Sequence, residues 1–131
     1  MKLQDQVCSL ELAKKLKKLG VKQESIFYWC KFLKPTSTAW DIRGNKWKDD
    51  CISSQRQLQY ISAFTVAELG EMLPRGYRTI RKSKRSDTDY VWSTFDTTGM
   101  GVMETISTIE ANARAKMLIY LIENKLIRVK A

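Results

Sequence analysis

The sequence predicts an α+β fold in one domain spanning residues 1–131, an antiparallel sheet of about five or six strands packed with about three helices. Three observations carry that expectation. Leucines recur at helical spacing near the N-terminus, a capping signature opens a second helix at Thr65, and a broad apolar stripe runs through the C-terminal segment. Between them lie aromatic and β-branched runs of strand character. The 131 residues are 44% hydrophobic and 28% charged, with two prolines and six glycines, so the chain can bury one core and is unlike a disordered composition.

The first helix is capped by Ser9, carries Leu12, Leu16 and Leu19 with Ala13 alongside, and ends at Gly20, which suits a left-handed position. Its opposite face holds Lys14, Lys15, Lys17 and Lys18, with Lys22 following. Such lysines form the wet side of an amphipathic helix or a phosphate contact. Ser25–Leu33 then reads as a central strand, with Ile26, Tyr28, Cys30 and Phe32 on one face and Phe27, Trp29 and Leu33 on the other. Ala39–Ile52 reads as a hairpin turning near Arg43, Gly44 and Asn45, with Trp40 and Trp47 close to the turn, either packed on the sheet or stacking on bases.

Thr65 and Glu68 make a capping box, Phe64 and Leu69 have the spacing of a hydrophobic staple, and Pro74 stops that helix. Gly70 inside it lowers helical propensity and so implies a packing reason, such as a strand passing close by. "YRTIRK" and "DYVWSTF" pair as two arms joined by "SKRSDT", and "GVMETIS" adds a third strand. The last helix begins at Ser107 or Thr108, with Ser107 and Glu110 as a second capping box. Ala113, Met117, Tyr120, Leu121, Leu118, Ile119 and Ile122 make it the centre of the core.

The chain has no histidine, and its three cysteines, Cys8, Cys30 and Cys51, lack metal-ligand spacing. At most three cysteine or histidine ligands are available, so neither a closed zinc site nor any other metal or cofactor is expected, and the thiols are read as reduced and buried. The N-terminus has no apolar leader and no run is long enough to cross a bilayer, so the expected location is the cytoplasm, away from membranes. No nucleophile elbow, phosphate loop, dinucleotide fingerprint or metalloprotease motif is present, which argues against an enzyme. Catalysis would need a carboxylate or tyrosine pair brought together in space, for example Asp41, Asp49 or Asp50 with Lys48, and nothing in the spacing supports one.

The formal net charge of +9 and an isoelectric point near 9.6 point to an anionic partner. The densest cationic stretch is "YRTIRKSKRSD". Arg75, Arg78, Arg81, Lys82, Lys84 and Arg85 are the candidate phosphate contacts, with Tyr77, Tyr90 or Trp92 as stacking partners. On a strand Arg78, Ile80 and Lys82 would point one way and Tyr77, Thr79 and Arg81 the other, so the cations cannot all share a face. The competing reading is a hairpin tip kept soluble by its charge.

The segments "VCSLELAKKLKKLGVKQESIFYW", "SAFTVAELGEMLP" and "ARAKMLIYLIENKLI" resemble, in order, the three recurring blocks of a family of small, uncharacterised proteins encoded by phages and prophages of Bacteroidota. The resemblance covers both ends and the middle of the chain and implies a phage accessory protein acting in a bacterial cytoplasm. It transfers no catalytic or ligand residue, because the shared blocks are scaffold. Phage accessory proteins without enzyme motifs often obstruct host defence, which gives the expectation of an anti-CRISPR-type inhibitor binding RNA or a CRISPR ribonucleoprotein. The alternative is a protein that occupies a host protein surface through exposed Trp40, Trp47 and Trp92.

Overall fold

A computed structural model of the chain describes residues 2–33, 39–83, 90–97 and 103–129. After a short 3-10 turn, Leu3–Asp5, the elements are α1 Leu10–Lys18, β1 Phe27–Phe32, β2 Asp41–Gly44, α2 Asn45–Ser53 and β3 Leu58–Ser62. They continue as α3 Val66–Met72, β4 Tyr77–Ser83, β5 Tyr90–Asp96, β6 Glu104–Ser107 and α4 Glu110–Glu123. The fold is α+β, as expected; among the described residues its six strands form two antiparallel sheets, ordered β2-β1-β3 and β4-β5-β6, in place of the single sheet expected.

The helix α4 lies at the centre. Ala111, Ala113, Ala115, Met117, Leu118, Ile119 and Leu121 are buried, and the helix packs on α1 and α3 and across the β4-β5-β6 sheet. The small alanines let neighbouring backbones come close while the larger residues fill the space between layers. Leu16 and Ala13 of α1, Leu69 of α3, and Phe64 and Ile61 close this core. The N-terminus of α1 is held as its sequence predicts: Ser9 Oγ accepts from Leu12 N, and Gly20 ends the helix at φ +91°. Ser9 N also donates to Asn112 Oδ1 at 2.7 Å, tying α1 to α4.

β1 is the central strand of the first sheet and is covered on both faces. Trp29, whose indole donates to Cys8 O at 3.0 Å, lies towards the main core beside Ile61. On the opposite face Tyr28 and Cys30 are buried, and Phe32 meets Trp47 of α2 edge to face at 5.7 Å.

That contact corrects the hairpin expected over Ala39–Ile52. Only Asp41–Gly44 is strand; Gly44 then begins α2. A helix sets Trp47, Lys48 and Cys51 on one side, against the face of β1 that carries Tyr28, Cys30 and Phe32, and leaves Asp49 and Asp50 exposed. The place beside β1 is taken instead by β3, a strand the apolar pattern does not announce because only Ile61 and Ser62 of its five residues are buried.

Two smaller expectations also change. Ser107 stays in β6, where its hydroxyl accepts from Ile109 N, and Glu110 turns to Arg114 at 3.4 Å, so the second capping box does not form. The Thr65–Glu68 box does form, with both reciprocal bonds. Gly70 has a packing reason other than a passing strand: a Cβ there would sit 2.4 Å from Arg114 Nη1.

Arg114 is anchored. Its guanidinium donates to Val66 O at 2.8 Å and to Thr79 Oγ1 at 3.0 Å and pairs with Glu110, joining α4, α3 and β4. Gly70→Ala gains about 1 kcal/mol of helix propensity but crowds that group at a cost of about 1–3 kcal/mol. The expected result is a net loss of stability in chemical denaturation that disappears when Gly70→Ala is made in an Arg114→Ala background.

Candidate nucleic-acid interface

The strand carrying the cationic run is an edge strand. Among the described residues β4 pairs with β5 alone, Tyr77 opposite Asp96 through Ser83 opposite Tyr90, and α4 packs chiefly over β5 and β6. A row of hydroxyls fixes the face beneath the helix. Thr79 and Thr94 bond at 2.9 Å, and Thr105 Oγ1 donates to Ala113 O at 2.7 Å, so Tyr77, Thr79 and Arg81 belong to the helix side. Arg78, Ile80 and Lys82 belong to the open side, in the alternation the sequence predicts.

The six candidate cations and Tyr77 are therefore treated differently. Arg75 is exposed in the turn before β4, and Arg78 is exposed on the open face. Arg81 is exposed on the other face, where its guanidinium lies 4.4 Å from the ring centre of Tyr90, itself 47% exposed. Lys82 pairs with Glu104 on β6, which also accepts from Ser93 Oγ at 2.6 Å. Tyr77 is half-buried, and burial, then the Asp96 carboxylate and Tyr120, push its hydroxyl pKa up, so its ring is a packing group more than a stacking platform. Lys84 and Arg85 lie outside the described residues.

The strand brings Arg81 together with Tyr90 and sets Trp92 opposite Arg81 in register. It separates this group from Arg78 and Lys82, which share the open face with Ile80 and Ile106, 41% and 44% exposed, on either side of the buried Ser93. Among the described residues, the two sets of cations lie on opposite faces of β4 and meet along its outer edge.

The tryptophans proposed as exposed anchors, Trp40, Trp47 and Trp92, are half-buried, and the first two are engaged by neighbouring side chains. Trp40 packs against the main core with the Lys14 ammonium 5.4 Å from its ring, and Trp47 lies between Phe32 and the Arg43 guanidinium at 5.0 Å. Lys14, Lys17, Gln23, Trp40 and Tyr60 line a second cationic cleft of about 550 Å³, which joins a lysine face of α1 to an aromatic ring. No spacing in the sequence links Trp40 to Lys14, because the contact is made only by the fold.

Lys48 is a further feature that sequence reading does not reach. It is 9% exposed, with its ammonium 4.2 Å from the Tyr28 ring and 4.9 Å from that of Tyr60, and it pairs with Asp49 at 3.2 Å. Burial pulls its pKa down, but the Asp49 hydrogen bond and Tyr28 outweigh that and hold it above the usual lysine value. Lys48 is thus a charged ammonium under two rings, with cation–π attraction offsetting its desolvation. Cys8 and Cys30 are also buried, and burial raises both thiols to about 11, which keeps them protonated and unreactive near neutral pH.

Comparison with known proteins adds no homologue: no family model, curated protein or solved structure matches the chain. Among the described residues, no helix is long and apolar enough to cross a membrane.

Hydrogen bonds from Lys82 and then Ser93 hold the Glu104 carboxyl below its ordinary value of 4.5. A depressed carboxylate contributes stability above its unfolded-state pKa and loses it as the pH falls through the folded-state value. The stability deficit of Glu104→Gln relative to the parent should be full at neutral pH and shrink as the pH is lowered below 4.5, read by denaturation across that range.

Proposed function

We propose that the protein is a non-enzymatic binding protein that engages RNA, alone or within a ribonucleoprotein, through the cationic edge strand β4. The observation that carries this reading is the exposure of Arg75, Arg78 and Arg81 around one strand edge, with Tyr90 stacked beside Arg81. Arginine on both faces of an edge can grip a single anionic strand from two sides, and an aromatic ring at its margin offers a base a place to stack. Lys82 contributes less, since Glu104 already neutralises part of its charge. The overall charge of +9 adds long-range attraction for a polyanion and speeds its arrival.

In the phage setting that the three sequence blocks imply, such a surface would act in the bacterial cytoplasm by occupying the guide RNA of a CRISPR effector. The chain would then be an anti-defence inhibitor that needs no cofactor, metal or turnover. The half-buried tryptophans weaken the alternative of a host-protein interface built on exposed aromatic anchors.

Affinity for a fluorescent single-stranded RNA, measured against salt, tests the reading. Each phosphate neutralised on a single strand contributes about 0.7 to the slope of log affinity against log salt. The triple variant Arg75→Ala, Arg78→Ala, Arg81→Ala should lose about 2 units of that slope and bind much more weakly while keeping the parental melting temperature. Affinity indifferent to salt, or to the three substitutions, would place RNA elsewhere on the molecule or nowhere.

A further inference from the structure

The hydrogen-bond phase of the second sheet decides which main-chain groups of β4 face outward. Gly76 O accepts from Thr97 N at 2.7 Å, so the pair just outside the β4–β5 ladder is a hydrogen-bonded one. Antiparallel pairs alternate between bonded and non-bonded. Continuing the register, Arg78, Ile80 and Lys82 bond to Phe95, Ser93 and Val91, while the N–H and C=O groups of Thr79 and Arg81 point away from the sheet.

The other edges show what this fold does with outward groups. On β3, Tyr60 O receives the Lys17 ammonium at 3.4 Å, and Ser62 N donates to Gln23 Oε1 at 2.8 Å. On β6, Ile106 O receives the Lys116 ammonium at 3.0 Å. The edge strand β2 is only four residues long. On β4, with seven residues, Tyr77 N turns back to Pro74 O at 3.4 Å, but among the described residues nothing meets the outward main chain of Thr79 or Arg81. Open edges of this kind are templates for strand addition.

We propose that the outer edge of β4 accepts an extended acidic peptide segment of a partner protein, which adds a main-chain-paired strand to the β4-β5-β6 sheet. Charge selects this occupant. Arg78 and Lys82 flank the edge on one face and Arg81 on the other, with Arg75 at its start and no acid within the strand. A second copy of the chain would set these cations against their own kind across the new ladder, which is unfavourable. An RNA strand matches the cations, but its phosphates have no donors for the outward carbonyls of Thr79 and Arg81. A peptide satisfies donors and acceptors together, and its carboxylates can meet cations on both faces.

This inference goes beyond the RNA reading, since it rests on the main chain and not on the side chains, so the two can fail separately. The test follows amide hydrogen exchange by NMR with capped peptides of about five Glu-Val repeats or, at equal charge, about five Glu-Pro-Pro repeats, whose prolines fall on both edges of an extended strand and so block main-chain pairing from either. The Glu-Val peptide should slow exchange at Thr79 and Arg81 by about tenfold or more at saturation, and the Glu-Pro-Pro peptide should not. Thr79→Pro removes an outward N–H without breaking a bond to β5 and should abolish peptide binding, whereas Thr79→Val, which loses the same hydroxyl, should retain it. Equal responses to the two peptides, protection of these amides by an oligouridylate or by self-association, or equal peptide binding by the two Thr79 variants would overturn the proposal. Oligouridylate affinity, measured alongside, reports on the RNA reading independently.

Discussion

Everything in this fold leans on the burial of α4. Seven of its residues are buried, and around it are α1, α3 and the second sheet. Each large apolar side chain removed from water contributes about 1.5–3 kcal/mol, so a helix with Met117, Leu118, Ile119 and Leu121 all inside has one stable position. Arg114 adds direction to that attraction. Its bonds to Val66 O and Thr79 Oγ1 set α3 and β4 in place relative to the helix, and Gly70 leaves the room it needs.

The position of α4 over β5 and β6 explains why β4 becomes the exposed strand. Arg114 and Lys116 of α4 donate to Thr79 Oγ1 and Ile106 O, Thr105 donates back to Ala113 O, and beyond Thr79 the helix gives little cover. Arg78 on the far face and the side chains from Ile80 onward are then exposed, which allows a density of positive charge that a central strand would not tolerate. The same overhang leaves the main chain of Thr79 and Arg81 open. Cationic side chains and unpaired peptide groups are thus two results of one packing arrangement, and an edge strand lets residues on opposite faces serve one ligand.

Elements defined by local signals were legible in the sequence. Ser9, Gly20, Thr65 and Glu68 mark helix ends through contacts a few residues apart, and the β4–β5–β6 strands follow from alternation and turn residues. What failed depended on distant partners. α2 was hidden because Gly44 and Asn45 have turn chemistry, while the reason for a helix is the β1 face that Trp47 and Cys51 cover. β3 was hidden because its partner β1 is some thirty residues away and its exposed face is polar. Ser107 and Glu110 have the spacing of a cap, but the β5–β6 ladder and Arg114 claim them first. At the candidate site, the alternation of cations could be read from the sequence. The Glu104 partner of Lys82, the Tyr90 ring beside Arg81 and the open edge could not, since each is set by strand register.

The central claim is that β4 is where this protein meets its partner. Residue-resolved amide exchange on the protein saturated with the acidic Glu-Val peptide, compared with the free protein, addresses it most directly. The account predicts new protection concentrated in β4, above all at Thr79 and Arg81, whose amides point away from β5. Protection confined to the lysine face of α1 and the cleft beside Trp40, with β4 exchanging as in the free protein, would contradict it.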